Sequence, residues 1–205
     1  RVDVSDRHHS FKRADWGAAR LMFTSLFRKD PMKAPARQVY LALLEAARRP
    51  FLFGDRGAPD TVDGRFDMIV LHAVLVFRRL RALDEPGKRF NQLVFDILFD
   101  DMDAGLREMG TGDLSVGKRI KEMGEAFYGR ASAYEEALND ADEARLALIL
   151  ERNLFASDDE AEAPDKAGAA AKRLAAYTLA AERHLADQDG EAILDGAAPR
   201  FPASA

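Results

Sequence analysis

The sequence predicts an all-α protein: a single helical bundle around one buried central helix, about 60–82, with a C-terminal helix after an acidic linker. The first observation is the run Met68 to Phe77, broken only by His72. Phe66, Ile69, Val70, Ala73, Phe77 and Leu80 recur at steps of three and four, and Met68, Leu71, Leu75 and Val76 make the other flank apolar as well. A helix apolar nearly all round is either the centre of a bundle or a membrane span. A span needs about 20 predominantly apolar residues. This run is shorter, and Arg78, Arg79 and Arg81 follow it directly, so it is a core helix. The second observation is size: 205 residues, 47% hydrophobic, are ample for one core with tails left over. The third is the lack of period-two runs of β-branched residues and of any internal repeat.

Charge and cysteine narrow the classes. A net charge of −5 argues against a whole-surface nucleic-acid binder, so no DNA partner is expected. Cysteine is absent, which excludes disulfides, thiolate chemistry and Cys-ligated zinc. No secretory segment or span is apparent, and a cytoplasmic protein is expected.

In chain order, residues 1–21 are polar without a sustained period. They are expected to be disordered or to lie upstream of a natural start at Met22, which opens MFTSLFRKD. His8 and His9 have no third ligand nearby and carry no metal assignment. Trp16 to Phe27 has too few apolar residues for a strong membrane-surface segment. The helical domain is expected over 22–155. Ala34 to Arg49 is its first helix, with Val39, Tyr40, Leu43, Leu44 and Ala47 on one face and Pro50 ending it. Phe51-Leu52-Phe53-Gly54 is an aromatic loop expected to pack in the core. Asp60, Thr61 and Asp63 offer caps for the central helix.

Pro86 to Met109 is the third helix, buried through Phe90, Val94, Ile97, Leu98, Met102, Leu106 and Met109. Asp101 breaks its pattern by falling on an apolar or small face. Asp113 to Arg130 is the fourth helix, capped by Asp113 or Ser115. Its interior Gly117 and Gly124 point to close approach by a neighbouring helix or a bound segment. Shorter helices are expected at Ser132 to Leu138 and Glu143 to Phe155. Residues 156–165 are an acidic linker. Residues 166–205 hold a C-terminal helix packed on the bundle, running from about Pro164 to Gln188 with Ala170, Leu174, Tyr177, Ala181 and Leu185 as its stripe, and a loose tail.

Chemistry is thin. Asp60, Asp63, Asp67, Asp100, Asp101, Asp103 and His72 invite a metal, but bundle di-metal sites use a repeated Glu-x-x-His, which is missing. His72 fits a core histidine bonded to a carbonyl or a neighbouring helix. No nucleophile elbow, phosphate loop or dinucleotide fingerprint occurs. No catalytic residue, metal or cofactor is assigned.

Two blocks go further: PDTVDGRFDMIVLHAVLVFRRL, and FDDMDAGLREMGTGDLSVGKRIKEMGEAFYGRASAYEEAL. Together they resemble the ubiquinol–cytochrome c chaperone family, over roughly Met22 to Leu154. The resemblance implies a non-catalytic, all-helical chaperone whose client is newly made cytochrome b; mitochondrial members act with a small partner protein at the ribosome, and a bacterial relative need not share that partner or the ribosome role. It implies peripheral contact with the inner membrane through the client. It also implies that Asp60, Asp63, Arg65, Asp67 and His72 lie near Asp100, Asp101, Asp103, Lys118 and Arg119. That polar ring either lines a client cleft or locks the bundle internally. Two other classes stay open: a small-molecule binder or enzyme using the Asp/His/Lys cluster, and a ribosome or RNA adaptor using Arg78, Arg79, Arg81, Lys88, Arg89 and Lys118 to Lys121.

Overall fold

The computed structural model describes residues 30–108, 110, 112–155 and 164–204. The expectations for residues 1–21, Met22, Trp16 to Phe27, Met109 and most of the acidic linker lie outside them. Helix α1 spans Lys33–Ala47 and buries Ala36, Val39, Tyr40, Leu43, Ala46 and Ala47, the stripe expected from its period. A single 3-10 turn at Pro50–Leu52 follows. Leu52 is fully buried, with Phe51 and Phe53 packed against the core beside it, and Arg173 donates to the Phe51 carbonyl at 2.7 Å. The aromatic loop is core. Gly57 sits where a Cβ would collide with the Leu52 carbonyl, so glycine is required for the chain to turn back there.

Helix α2, Val62–Arg81, is the centre. Fourteen of its twenty residues are buried, and every other helix packs against it. Its cap is Thr61, whose hydroxyl accepts from the Gly64 N–H at 3.1 Å. Asp60 instead pairs with Arg65 at 2.6 Å.

Helix α3 is Asp84–Glu108 and helix α4 is Asp113–Asn139. The fourth helix therefore does not stop at Arg130: the two helices expected at 113–130 and 132–138 are one. Ala131, Tyr134, Ala137 and Leu138 extend the buried line of Phe127, and their burial outweighs the cost of Gly129 in the helix interior. The cap position is Gly112, which makes no side-chain cap bond, rather than Asp113 or Ser115.

Helix α5 is Glu143–Phe155 and α6 is Pro164–Ala186; these two pack on each other and on α2. A short helix α7, Gly190–Leu194, was not legible; Asp189 caps it by accepting from the N–H groups of Glu191 and Ala192. The tail beyond it is not loose. Phe201 is buried, and Arg49 donates to the Pro202 carbonyl at 2.8 Å.

Candidate functional site

Asp67 lies in the second turn of α2 between Phe66 and Met68, and no part of it reaches solvent. Its partner is Arg130 of α4, whose Nε meets Oδ1 while the guanidinium sits 5.5 Å over the Phe66 ring. Burial pushes the Asp67 carboxyl up to about 6, with Arg130 pulling against it and Asp63 adding a smaller push. Tyr134, one turn beyond Arg130, is fully buried, and its hydroxyl accepts from Asn153 of α5 at 3.3 Å. The pair joins α2 to α4.

His72, just over one turn on, is buried too. Its Nδ1 lies 2.7 Å from the Met68 carbonyl, which only accepts, so Nδ1 carries the proton. Nε2 is then the acceptor for the Tyr177 hydroxyl of α6 at 2.9 Å. Burial lowers the imidazole to about 4, so it is neutral at pH 7 with both nitrogens satisfied. A carbonyl and a neighbouring helix hold it together.

Asp101, which broke the α3 pattern, accepts from Tyr40 of α1 at 2.6 Å. Burial and that bond hold the Tyr40 hydroxyl well above its usual range. The other expected site residues are at the surface. Asp60 and Arg65 pair with each other, Asp63 is exposed, and Asp103 pairs with Arg107 at 2.6 Å. Asp100 and Arg119 are exposed, and Lys118 reaches Glu122 at 3.7 Å. Helices α2, α3 and α4 pack together. Yet among the described residues no hydrogen bond or ion pair joins Asp60, Asp63, Arg65, Asp67 or His72 to Asp100, Asp101, Asp103, Lys118 or Arg119. Asp67 and His72 act as internal ties, Asp101 joins α3 to α1 from an exposed position, and the rest form separate charged surfaces.

Sequence reasoning missed Arg130 as a partner. The available signal was its place three residues after Phe127 on a stripe that continues to Tyr134. It also missed how far apolar surface stays half-open between α3 and α4. Phe95 and Phe99 lie 4.5 Å apart by ring centroid and meet the buried Phe127 at 5.1 and 5.9 Å. Met102, Met123 and Tyr128 are partly buried around them. Gly124 faces only the Phe99 ring, and a Cβ on Gly117 would enter open space. Among the described residues no neighbouring helix makes the close approach expected at these glycines.

A groove of about 540 Å³ runs along the end of α2 beside α6, with Leu75 and Leu185 on its floor and Arg78, Arg79 and Arg81 at its rim. Arg78 pairs with Glu182 at 2.6 Å, Arg81 donates to Glu135 at 3.0 Å, and Arg79 donates to the Gln188 carbonyl at 2.6 Å. These arginines knit the bundle end. Among the described residues no three His, Asp or Glu side chains converge as a metal site, and no helix is long and apolar enough to cross a membrane.

Comparison with known proteins adds four findings. The family model described as ubiquinol-cytochrome C chaperone matches residues 54–201. The ubiquinol-cytochrome-c reductase complex assembly factor 1 of Xenopus laevis is 24% identical over 129 residues, 63% of this chain and 64% of that protein. Its Mus musculus counterpart is 24% identical over 129 residues, 43% of its length, so the match spans less than two thirds of either relative. The crystal structure of the Cbp3 homolog from Brucella abortus superposes with a TM-score of 0.71 at 31% identity, covering 84% of this chain and 91% of that one.

Proposed function

The chain belongs to the ubiquinol–cytochrome c chaperone family, and from that premise we propose that it is a non-catalytic chaperone that binds newly made cytochrome b during assembly of ubiquinol–cytochrome c reductase. The observation that carries this reading is the half-open aromatic and methionine face of α3 and α4. Monomeric proteins keep most apolar surface scattered, and a contiguous patch with a polar rim marks a binding surface. Phe95, Phe99, Met102 and Met123 supply the patch. The exposed Asp100, Lys118 and Arg119 lie on the same two helices and supply charge around it. Unbranched methionines repack around varied apolar shapes, which suits a client not yet folded. Work at the cytoplasmic face of the inner membrane, beside the ribosome or with a small partner protein, fits this role.

The catalytic alternative loses support because His72 is fully bonded and Asp67 is paired with Arg130. The adaptor reading loses Arg78, Arg79 and Arg81, which are engaged within the bundle. Photo-crosslinking groups placed at Phe99, Met102 and Met123, with controls at the exposed Leu41 and Leu148, test the client surface in cells making cytochrome b. Crosslinks from the three and not from the controls are expected. Crosslinks from the controls alone would overturn the assignment.

A further inference from the structure

The chain after α7 has no regular structure, yet side chains of other elements hold its backbone at four points. Gln188, just past α6, accepts from the Arg200 N–H at 2.8 Å through Oε1 and donates to the Arg200 carbonyl at 2.7 Å through Nε2. Arg49, just past α1, donates from Nη1 to the carbonyls of Phe201 at 3.3 Å and Pro202 at 2.8 Å. Pro199 and Phe201 are buried while Arg200 between them is exposed. The Phe201 ring lies 4.9 Å from the His72 ring. Inward and outward side chains in alternation, with the main chain bonded by receptor groups, is how grooves read extended peptides.

The receptor side is held without the tail's help. His72 is fixed by Met68 and Tyr177, Gln188 is oriented by a 2.9 Å bond to the His184 carbonyl, and Arg79 holds the Gln188 carbonyl. The hold is confined to a few points: of residues 195–204 only Pro199 and Phe201 are buried. Gly196, at φ 100°, lets the chain turn back at the root of the tail. Segments with few buried contacts open locally far below the cost of global unfolding.

We propose that this groove, between the C-terminal ends of α1 and α6 and floored by His72, is a docking site for an extended Pro-x-Phe-Pro segment of a partner protein, filled in cis by residues 199–202. The four backbone bonds are indifferent to sequence, so the Pro199 and Phe201 positions set the specificity. The covalently attached tail competes with any such partner, and its release is the regulated step.

The test uses the full chain and a fluorescent peptide with the sequence of residues 197–204. In the wild-type protein the apparent affinity is lowered by the small fraction of molecules whose groove is open, so Phe201→Ala is expected to bind the peptide at least about tenfold more tightly. Adding Arg49→Ala should weaken that binding, and a peptide with Ala at the Phe201 position should not bind. A folded Phe201→Ala variant that binds no better than wild type, or that binds the Phe-lacking peptide equally, overturns the proposal. If Phe201→Ala does not fold, hydrogen exchange on the wild type decides. The Arg200 N–H should exchange far faster than the buried amides around Thr178, and faster again with excess peptide. Protection equal to that of α6 overturns it.

Discussion

Two buried titratable residues on one helix pull stability in opposite directions with pH. Asp67 has its folded pKa raised to about 6 from the usual 3.8. Its folded form holds the proton more tightly, so its stabilising term is complete below about pH 4 and fades as pH rises through 6. His72 has its folded pKa lowered to about 4 from 6.5. Its term is complete above about pH 6.5 and is lost as pH falls toward 4. Each shift is about two units, worth roughly 3 kcal/mol, so between pH 4 and 6.5 the two largely cancel. Single substitutions should unmask the other partner. Asp67→Asn should leave a protein that loses roughly 2 kcal/mol between pH 6.5 and 4.5, whereas His72→Gln should gain stability over the same interval. Urea unfolding at pH 4.5, 5.5 and 7 measures both; parallel curves for the two variants would contradict the pairing. Arg130→Ala at pH 7 strands a buried carboxylate and should cost about 3–5 kcal/mol. The sequence made His72 legible as a core histidine, because a lone polar residue on an apolar run needs a partner. It did not make Tyr177 legible, since the partner lies 105 residues away and only the packing of α6 on α2 brings them together. Arg130 was hidden for the same reason.

At the level of elements, the stripes of α1, α2, α3 and α6 were legible, because each buries a face whose spacing is written locally. The continuity of α4 was not. Gly129 and the small residues after it look like a break, and only the burial of Ala131 and Tyr134 against the bundle overrides it. Helix α7 was illegible because five residues are too few to show a period. The α4 reading has a direct test. Gly129 is exposed in the helix interior, and a Cβ there meets nothing, so Gly129→Ala should stabilise by up to about 1 kcal/mol. Gly64, in the first turn of α2, would drive its Cβ into the Pro59 carbonyl, and Gly64→Ala should destabilise. Thermal melts of the two variants should move in opposite directions; a drop for Gly129→Ala would argue that the chain does break there.

Across the whole molecule, stability is graded by distance from α2. The main core gathers residues of α1, α2, α5 and α6, with α3 up to Leu98 and α4 from Phe127 onward. Leu106 and Val116 are buried but stand outside that core, at the far end of the α3–α4 hairpin. Fewer of the described residues are buried there than around α2, and segments with few buried residues open locally at a fraction of the global free energy. The half-open face of Phe95, Phe99, Met102 and Met123 spans the border between the two regimes. One side of it is held by Phe127 and the core, and the other can move. This division suits a chaperone surface: the rigid half fixes where a client segment lies, and the yielding half adapts to its shape. Hydrogen exchange should therefore place the slowest amides in the middle of α2. Those of 100–108 and 115–122 should exchange by local opening, on the order of a hundredfold faster or more. Binding of the client should slow that second group far more than the first. Uniform exchange across α2, α3 and α4 would mean the hairpin end is locked, and the client would then have to fit a preformed surface.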